Sequence, residues 1–129
     1  MNERDMYEKG REIGRKLWGK SRFDRMEKSA GVVNPNFRDL ALWTWCLYSN
    51  PVLELKTRCL CTVAALTVLG QEEELRMHIY GALNNGATPE EIEAVIMQMA
   101  PYGGLPNGRG ALLVAKNCFS NHQPPPDME

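Results

Sequence analysis

The fold is decided by residues 54–106, ELKTRCLCTVAALTVLGQEEELRMHIYGALNNGATPEEIEAVIMQMAPYGGLP. Residues 54–69 are apolar nearly all round and stop at Gly70, a pattern that predicts a central, buried helix. Residues 72–85 predict a partner helix that stops at Gly86. Because the connection between them is so short, we expect the two helices to form a central antiparallel hairpin.

The helix after this hairpin begins with clear start signals. Thr88 is a good N-cap residue, Pro89 suits a first turn and Glu91 can complete a capping box, so a helix should run to about Ala100. Two helices are predicted at the start of the chain, one over residues 3–18 and a short second one with a capping box from Ser21 to Asp24. A third helix begins at Asn34 and Pro35 and is followed by Pro51. A last helix follows a loop at 101–110 and ends near Phe119. No strand pattern competes. We therefore expect an all-α protein of about seven helices.

The length of the chain, 129 residues, is that of one domain. We expect a single all-helical domain over residues 1–120. Residues 121–129 contain three consecutive prolines among polar side chains, which predicts a disordered C-terminal tail.

Composition bounds the partners of this protein. The 15 basic and 16 acidic residues give a net charge of −1, so no basic surface for nucleic acid or for a membrane is expected. The charged start MNERDMYEKGRE does not have the apolar run of a signal peptide, and no apolar stretch reaches the ~20 residues of a membrane span. We expect a cytoplasmic protein whose partner is a small molecule.

The four cysteines predict packing rather than metal binding. Cys46, Cys59, Cys61 and Cys118 all lie in segments that are mostly apolar, where cytosolic cysteines are usually reduced core residues. On a helix Cys59 and Cys61 point about 200° apart, so they cannot bind one ion together. With no CxxC motif and one histidine in the folded region, no metal site is expected.

That histidine, His78, is the residue that says most about function. The only other histidine, His122, lies in the predicted tail, so His78 is the one folded side chain whose ordinary pKa suits proton transfer near neutral pH. It lies on the flank of an apolar helix face made of Leu75, Ile79, Ala82 and Leu83. From this geometry His78 is either a core histidine that bonds a backbone carbonyl or a buried acid/base.

Four stretches carry a family resemblance in order and spacing. They are DMYEKGREIGRKLWG, LELKTRCLCTVAALTVLG, EELRMHIYGALNNGATPEEIEAVIMQMAPYGGLP and ALLVAKNCF. Over roughly residues 5–119 they resemble the carboxymuconolactone decarboxylase family, which shares the alkylhydroperoxidase D-like helical fold. The resemblance implies a ring-shaped homo-oligomer, usually a hexamer, with a trimer as the smaller alternative. It also implies cofactor-free decarboxylation of a carboxylated muconolactone in aromatic catabolism.

The resemblance also implies a catalytic site. The family carries its candidate acid/base histidine in ELxxH followed by GALNNG, which here is His78. Glu74, one turn earlier, can orient the imidazole and raise its pKa, unless it is a solvated surface acid. Arg58 on the preceding helix can hold a substrate carboxylate with its fork of donors, unless it pairs with a protein carboxylate. Binding an anion, stabilising an enolate and donating one proton then suffice for decarboxylation.

The sequence departs from the family where substrate contacts are expected. Thr44 and Trp45 stand at the family's Trp-Gly pair, Cys46 at a common acid, Tyr48 at a second tryptophan and Asn50 at an arginine, while Asn107, Gly108 and Arg109 replace small residues after the GGLP turn. We expect Cys59, Trp45, Cys46 and Tyr102 to contact the substrate, with simple packing as the alternative for Cys59. These departures put the carboxymuconolactone itself in question.

The related alkylhydroperoxidase D branch uses a CxxC pair that ends four residues before its histidine. Here Gln71 and Glu74 stand at those positions, so dithiol-dependent peroxide reduction is not expected. Three hypotheses follow. The protein is a decarboxylase of a small, unsaturated, carboxylated lactone, a proton-transfer enzyme of the same fold acting as isomerase, cyclase or hydrolase on another substrate, or a non-catalytic oligomeric binding protein.

Overall fold

The computed structural model describes residues 1–128, in which all regular structure is helical. The helices are α1 (Glu3–Trp18), α2 (Lys20–Val33), α3 (Pro35–Leu47), α4 (Leu55–Leu69), α5 (Glu72–Asn84), α6 (Pro89–Gly103) and α7 (Leu105–Asn121). They form two compact units, Met1–Leu55 with the C-terminal residues from Pro124 on, and Lys56–Gln123. The prediction of an all-α protein with about seven helices is confirmed.

The first unit packs α1, α2 and α3 against one another. The start of α3 is as predicted, because the Asn34 side chain accepts hydrogen bonds from the N–H groups of Asn36 and Phe37 at 2.8 and 3.1 Å. Helices α1 and α3 approach closely at Gly10, where a Cβ would lie 2.1 Å from the carbonyl oxygen of Leu42. A glycine at that point is what lets the two backbones touch.

Helix α2 differs from its prediction at the N-terminus. No capping box links Ser21 to Asp24, because the helix already begins at Lys20 and its N-cap is Gly19, which has no side chain. Ser21 lies inside the first turn and donates its backbone N–H and its hydroxyl to Asp127 instead. The helix is also longer than expected, with 14 residues.

In the second unit, α4 and α6 run parallel. At the start of α4 the Lys56 ammonium lies 3.0 Å from the carboxylate of Glu91 in the first turn of α6. At the end of α4 the carbonyl of Val68 accepts a hydrogen bond from Asn107, and Gly103 packs on the Val68 backbone. Helix α5 joins the end of α4 to the start of α6, so it must run antiparallel to both. The predicted hairpin is therefore α4 and α5.

Helix α4 buries one face rather than its whole circumference. Its buried side chains recur every four residues, at Cys59, Val63 and Thr67. Cys61, Ala65 and Leu69 lie on the exposed side, which corrects the expectation of a helix buried all round. Cys59 and Cys61 thus point in opposite directions, as their spacing predicted.

The predicted loop at 101–110 is wrong, because that segment is almost wholly helical. Helix α6 continues through Pro101 to Gly103, and α7 begins at Leu105. A proline in the last turn of α6 removes only one backbone hydrogen bond, and Pro106 in the first turn of α7 removes an N–H that has no helical partner anyway. Gly104 alone makes the break, with a positive φ of 96° that favours glycine.

Helix α7 ends at Asn121. Further along the C-terminal residues, Asp127 accepts a hydrogen bond from the backbone N–H of Ser21. The tail predicted as disordered, 121–129, ends at Glu129, which lies outside the described residues. Its disorder, and the single domain expected for 1–120, stay predictions. None of the helices in the described part of the chain is long and apolar enough to span a membrane.

Removing the α6 cap tests whether local start signals stabilise the second unit. The Thr88 hydroxyl accepts from the Glu91 N–H at 3.1 Å, and the Glu91 carboxylate accepts from the Thr88 N–H at 2.9 Å. We expect Thr88→Ala to lower the free energy of unfolding by about 1 kcal/mol, read as a shift in the urea midpoint. Ser120→Ala, an exposed serine in the last turn of α7, is the control. Equal midpoints for the two variants would contradict the role of this cap.

Candidate functional site

His78 lies on the buried face of α5, as expected from the sequence. Only 8% of its surface is exposed, and its buried neighbours along the helix are Leu75, Ile79, Gly81 and Ala82. This burial lowers the pKa of His78 to about 4, because an apolar environment disfavours the charged imidazolium. At neutral pH the imidazole of the free protein is therefore uncharged.

Glu74 is exposed, which agrees with the alternative of a solvated surface acid. It lies in the first turn of α5 together with Glu72 and Glu73, and its side chain is exposed to solvent. An exposed carboxylate there interacts favourably with the N-terminal end of the helix dipole. The expectation that Glu74 raises the pKa of His78 is wrong in direction, since desolvation is the cause that sets that pKa.

Arg58 and Cys59 on α4 and His78 on α5 all lie in the second unit. Arg58 is half-buried and its Nε is a buried atom. That these residues act together at one site stays a prediction.

Cys59 is a buried thiol rather than a reactive one. Only 1% of its surface is exposed, and this burial raises its pKa to about 12. At neutral pH the sulfur is therefore protonated and not a thiolate nucleophile. This supports packing or apolar substrate contact as the role of Cys59, and it agrees with the expected absence of dithiol chemistry.

Trp45 and Cys46 belong to the first unit, where Trp45 is part of an aromatic cluster. Its ring meets the buried Trp18 edge-on at 5.2 Å and 80°, and meets Tyr48 edge-on at 5.4 Å and 78°. Cys46 is half-buried, with its sulfur 4.0 Å from that of Met1. The sequence analysis did not identify Trp18 as a neighbour of Trp45. Large aromatic side chains in two helices that pack together often contact each other, so the pair could have been predicted.

Tyr102 lies near the end of α6 with 78% of its surface exposed. Close to it, α6 and α7 form an apolar groove with a cavity volume of about 550 Å³. Met97, Leu113 and Phe119 line this groove, and Arg109 and Lys116 supply its positive charges. His78 is not part of that lining. Within residues 1–128 no cluster of three or more His, Cys, Asp or Glu side chains has the arrangement of a metal site.

A polar seam between α5 and α7 fixes the orientation of the helix that carries His78. His122, the residue that follows α7, places its Nε2 2.7 Å from Oδ1 of Asn84 and stacks its ring on Tyr80 at 5.8 Å. One end of the same seam is a hydrogen bond from Arg76 to Asn117. The sequence reading missed this role because it assigned His122 to the tail.

Comparison with known proteins gives this geometry a context. Residues 36–117 match the family model described as the carboxymuconolactone decarboxylase family. The chain is 32% identical over 123 residues to 4-carboxymuconolactone decarboxylase of Acinetobacter baylyi, which covers 94% of this chain and 92% of that protein. It is 26% identical over 122 residues to nitrosuccinic acid decarboxylase of Metarhizium robertsii, covering 92% and 84%.

A third relative, an uncharacterized 15.0 kDa protein of Paracoccus denitrificans, is 40% identical over 83 residues, covering 63% of this chain and 62% of that protein. Two of these three relatives are named as decarboxylases, which confirms the prediction of an enzyme of the carboxy-lyase kind. The extent of these matches settles the family. The chain belongs to the carboxymuconolactone decarboxylase family.

Proposed function

We propose that this protein is a cofactor-free decarboxylase of a small, unsaturated, carboxylated lactone similar to 4-carboxymuconolactone, with His78 as its general acid. The observation that carries the proposal is a buried, uncharged imidazole on an otherwise apolar helix face, in a chain that aligns over 94% of its length with a decarboxylase. A buried histidine with a perturbed pKa is typical of a proton-transfer site.

The anionic substrate itself supplies the negative charge that favours protonation of His78. Protonating His78 in the free protein is unfavourable because burial disfavours the charged imidazolium. A substrate carboxylate within about 4–6 Å favours the imidazolium, so substrate and proton bind together. After the C–C bond breaks, the electron pair delocalises into the unsaturated lactone as an enolate. His78 then donates its proton to carbon and returns to the neutral form that burial prefers.

Arg58 is the proposed anchor for a carboxylate of the substrate that remains after CO₂ leaves. Its guanidinium stays charged throughout the reaction and offers two parallel donors to one carboxylate. Holding the retained carboxylate near His78 places the carbon that must be protonated close to the imidazole. A fixed cation also stabilises the negative charge that develops on the enolate as CO₂ leaves.

A second candidate is proton transfer by His78 on a different substrate, without loss of CO₂, as an isomerase, cyclase or hydrolase. The observation that favours it is Trp45, which stands where the family has glycine and is held by Trp18 and Tyr48. An indole in place of a hydrogen atom changes the shape of any surface it contributes to. Release of CO₂ from 4-carboxymuconolactone separates the two candidates.

We also propose that the protein is a cytoplasmic homo-oligomer of aromatic catabolism, a hexamer or else a trimer. Large apolar side chains support self-association, because Leu105, Leu113 and Met97 on α6 and α7 are each more than half exposed. A contiguous apolar surface of this kind usually marks an interface. Closed symmetry is the usual outcome when identical chains associate.

Replacing the imidazole tests the proposed chemistry directly. We expect His78→Ala to reduce the turnover number for 4-carboxymuconolactone by ~100-fold or more, the range for loss of a general acid. Glu73→Ala is the matched control, because Glu73 is an exposed residue on the same helix. Arg58→Lys should mainly raise KM, since lysine keeps the charge and loses the fork. Near-normal turnover by a folded His78→Ala protein would show that the mechanism is wrong.

The protonation state of His78 is accessible by NMR, because the chain has only two histidines. In the free protein the imidazole signals of His78 should titrate with a pKa of about 4, and a His122→Gln variant assigns them. Adding succinate, an unreactive dicarboxylate, should raise that pKa by about 1–3 through the nearby negative charge. A pKa above 6 without ligand, or one that succinate leaves unchanged, would contradict the coupling of anion and proton.

Sedimentation velocity tests the assembly. At micromolar concentration we expect a single species with the mass of six subunits of 14.6 kDa, or of three. Exposed apolar side chains on α6 and α7 make a monomer unfavourable. A stable monomer would remove the proposal of self-association and leave the proposed reaction untouched.

A further inference from the structure

The C-terminal segment 124–128 docks on the junction between α1 and α2. Oδ2 of Asp127 accepts two hydrogen bonds from Ser21, one from the backbone N–H at 2.8 Å and one from the hydroxyl at 2.6 Å. Pro125 and Asp127 both lie against Gly19, where a Cβ would be only 2.7 Å from each of them. Gly19 is buried and has a φ of 86°, so the docking point is a notch that glycine alone makes.

This contact supplies a side-chain cap for the start of α2. The N-cap of α2 is Gly19, which offers no side-chain acceptor to the first-turn N–H groups. The Asp127 carboxylate takes that role from the far end of the chain, and a negative charge there suits the helix dipole. The bonds from Ser21, with Lys20 nearby, hold the pKa of Asp127 below its usual range, so the carboxylate is charged at neutral pH.

The first turn of α2 in turn holds the aromatic cluster. It carries Phe23, whose ring stacks on Trp18 at 6.4 Å with only 4° between the planes. Trp18 is 1% exposed, directly precedes Gly19 and meets Trp45 edge-on. If the first turn of α2 frayed, Phe23 would become mobile. Because Phe23 stacks on Trp18 and Trp18 contacts Trp45, the position of the Trp45 ring would then be less well fixed.

We infer that the segment 124–128 is a strap that caps α2, and that Asp127 is a positioning residue for Trp45. The inference concerns how the chain shapes a predicted substrate-contacting side chain, and that part rests on the proposed function. Asp127 acts through Ser21, Phe23 and Trp18, without touching the substrate.

Hydrogen exchange tests the strap without any substrate. In Asp127→Ala the amides of residues 21–23 should exchange about tenfold faster than in the native protein, because the cap is lost. Asp127→Asn keeps an acceptor oxygen and should fall between the two. Pro126→Ala, an exposed residue of the same segment, is the matched control. Unchanged exchange at residues 21–23 in Asp127→Ala would overturn the strap.

A second readout follows the aromatic cluster. In a Trp43→Phe background the remaining tryptophan fluorescence comes from Trp18 and Trp45 alone. Asp127→Ala should shift this emission to the red, as the first turn of α2 frays and water reaches the indoles. An unchanged spectrum together with faster exchange would show that the strap does not reach Trp45, and would overturn the positioning role.

The kinetic test separates positioning from general stability. With 4-carboxymuconolactone, Asp127→Ala should raise KM several-fold and leave the turnover number within about twofold, since substrate contact changes and His78 does not. An equal loss in both variants, Asp127→Ala and Pro126→Ala, would overturn the positioning role. If the native protein does not decarboxylate this compound, the proposed function fails, while hydrogen exchange and fluorescence still decide the strap.

Discussion

Burying an imidazole among Leu75, Ile79 and Ala82 has an electrostatic cost on which the proposed chemistry depends. In water a histidine gains or loses its proton near pH 6.5, but on this face of α5 the charged form is disfavoured and the pKa falls to about 4. The imidazole is therefore uncharged at neutral pH in the free protein. In the proposed mechanism a bound anion raises the pKa of His78, so the imidazole carries the proton only when substrate is present.

Such a site works only if α5 cannot rotate, since turning a helix by one residue moves a side chain by about 100°. The structure fixes α5 through polar contacts on its other side. Asn84 and Tyr80 hold His122, and Arg76 bonds Asn117, so the α5–α7 contact has directional partners as well as apolar packing. Apolar contacts alone tolerate small rotations, whereas hydrogen bonds with fixed geometry do not.

The parts of the fold that the sequence predicted are those set by neighbours close in the chain. The caps at Asn34 and Thr88 and the end of α4 at Gly70 depend on residues within one turn, and all three are as expected. The predictions that were wrong depend on residues far away in the chain. Ser21 donates hydrogen bonds to Asp127, 106 residues away, and does not form the predicted capping box in its own helix. The prolines and glycines after Ala100 are typical of a loop, but Pro101 lies in the last turn of α6 and Pro106 in the first turn of α7, where a helix tolerates them.

The candidate site divides in the same way. The burial of His78 followed from the 3.6-residue period of α5, but its low pKa depends on the surrounding packing, which one helix alone does not show. The role of His122 was hidden because nothing local distinguishes a helix-ending histidine that reaches Asn84 from one in a polar tail. The sequence pattern therefore predicts that His78 is buried, while the protonation state of His78 depends on the packing around it.

Different interactions govern the two residues on which the proposals depend most. The proposed acid His78 and the proposed anion anchor Arg58 are both in the unit Lys56–Gln123. Trp45, where the chain departs from its family, is held within its own unit by edge-on contacts with Trp18 and Tyr48. Aromatic packing therefore sets the position of Trp45, whereas desolvation sets the pKa of His78.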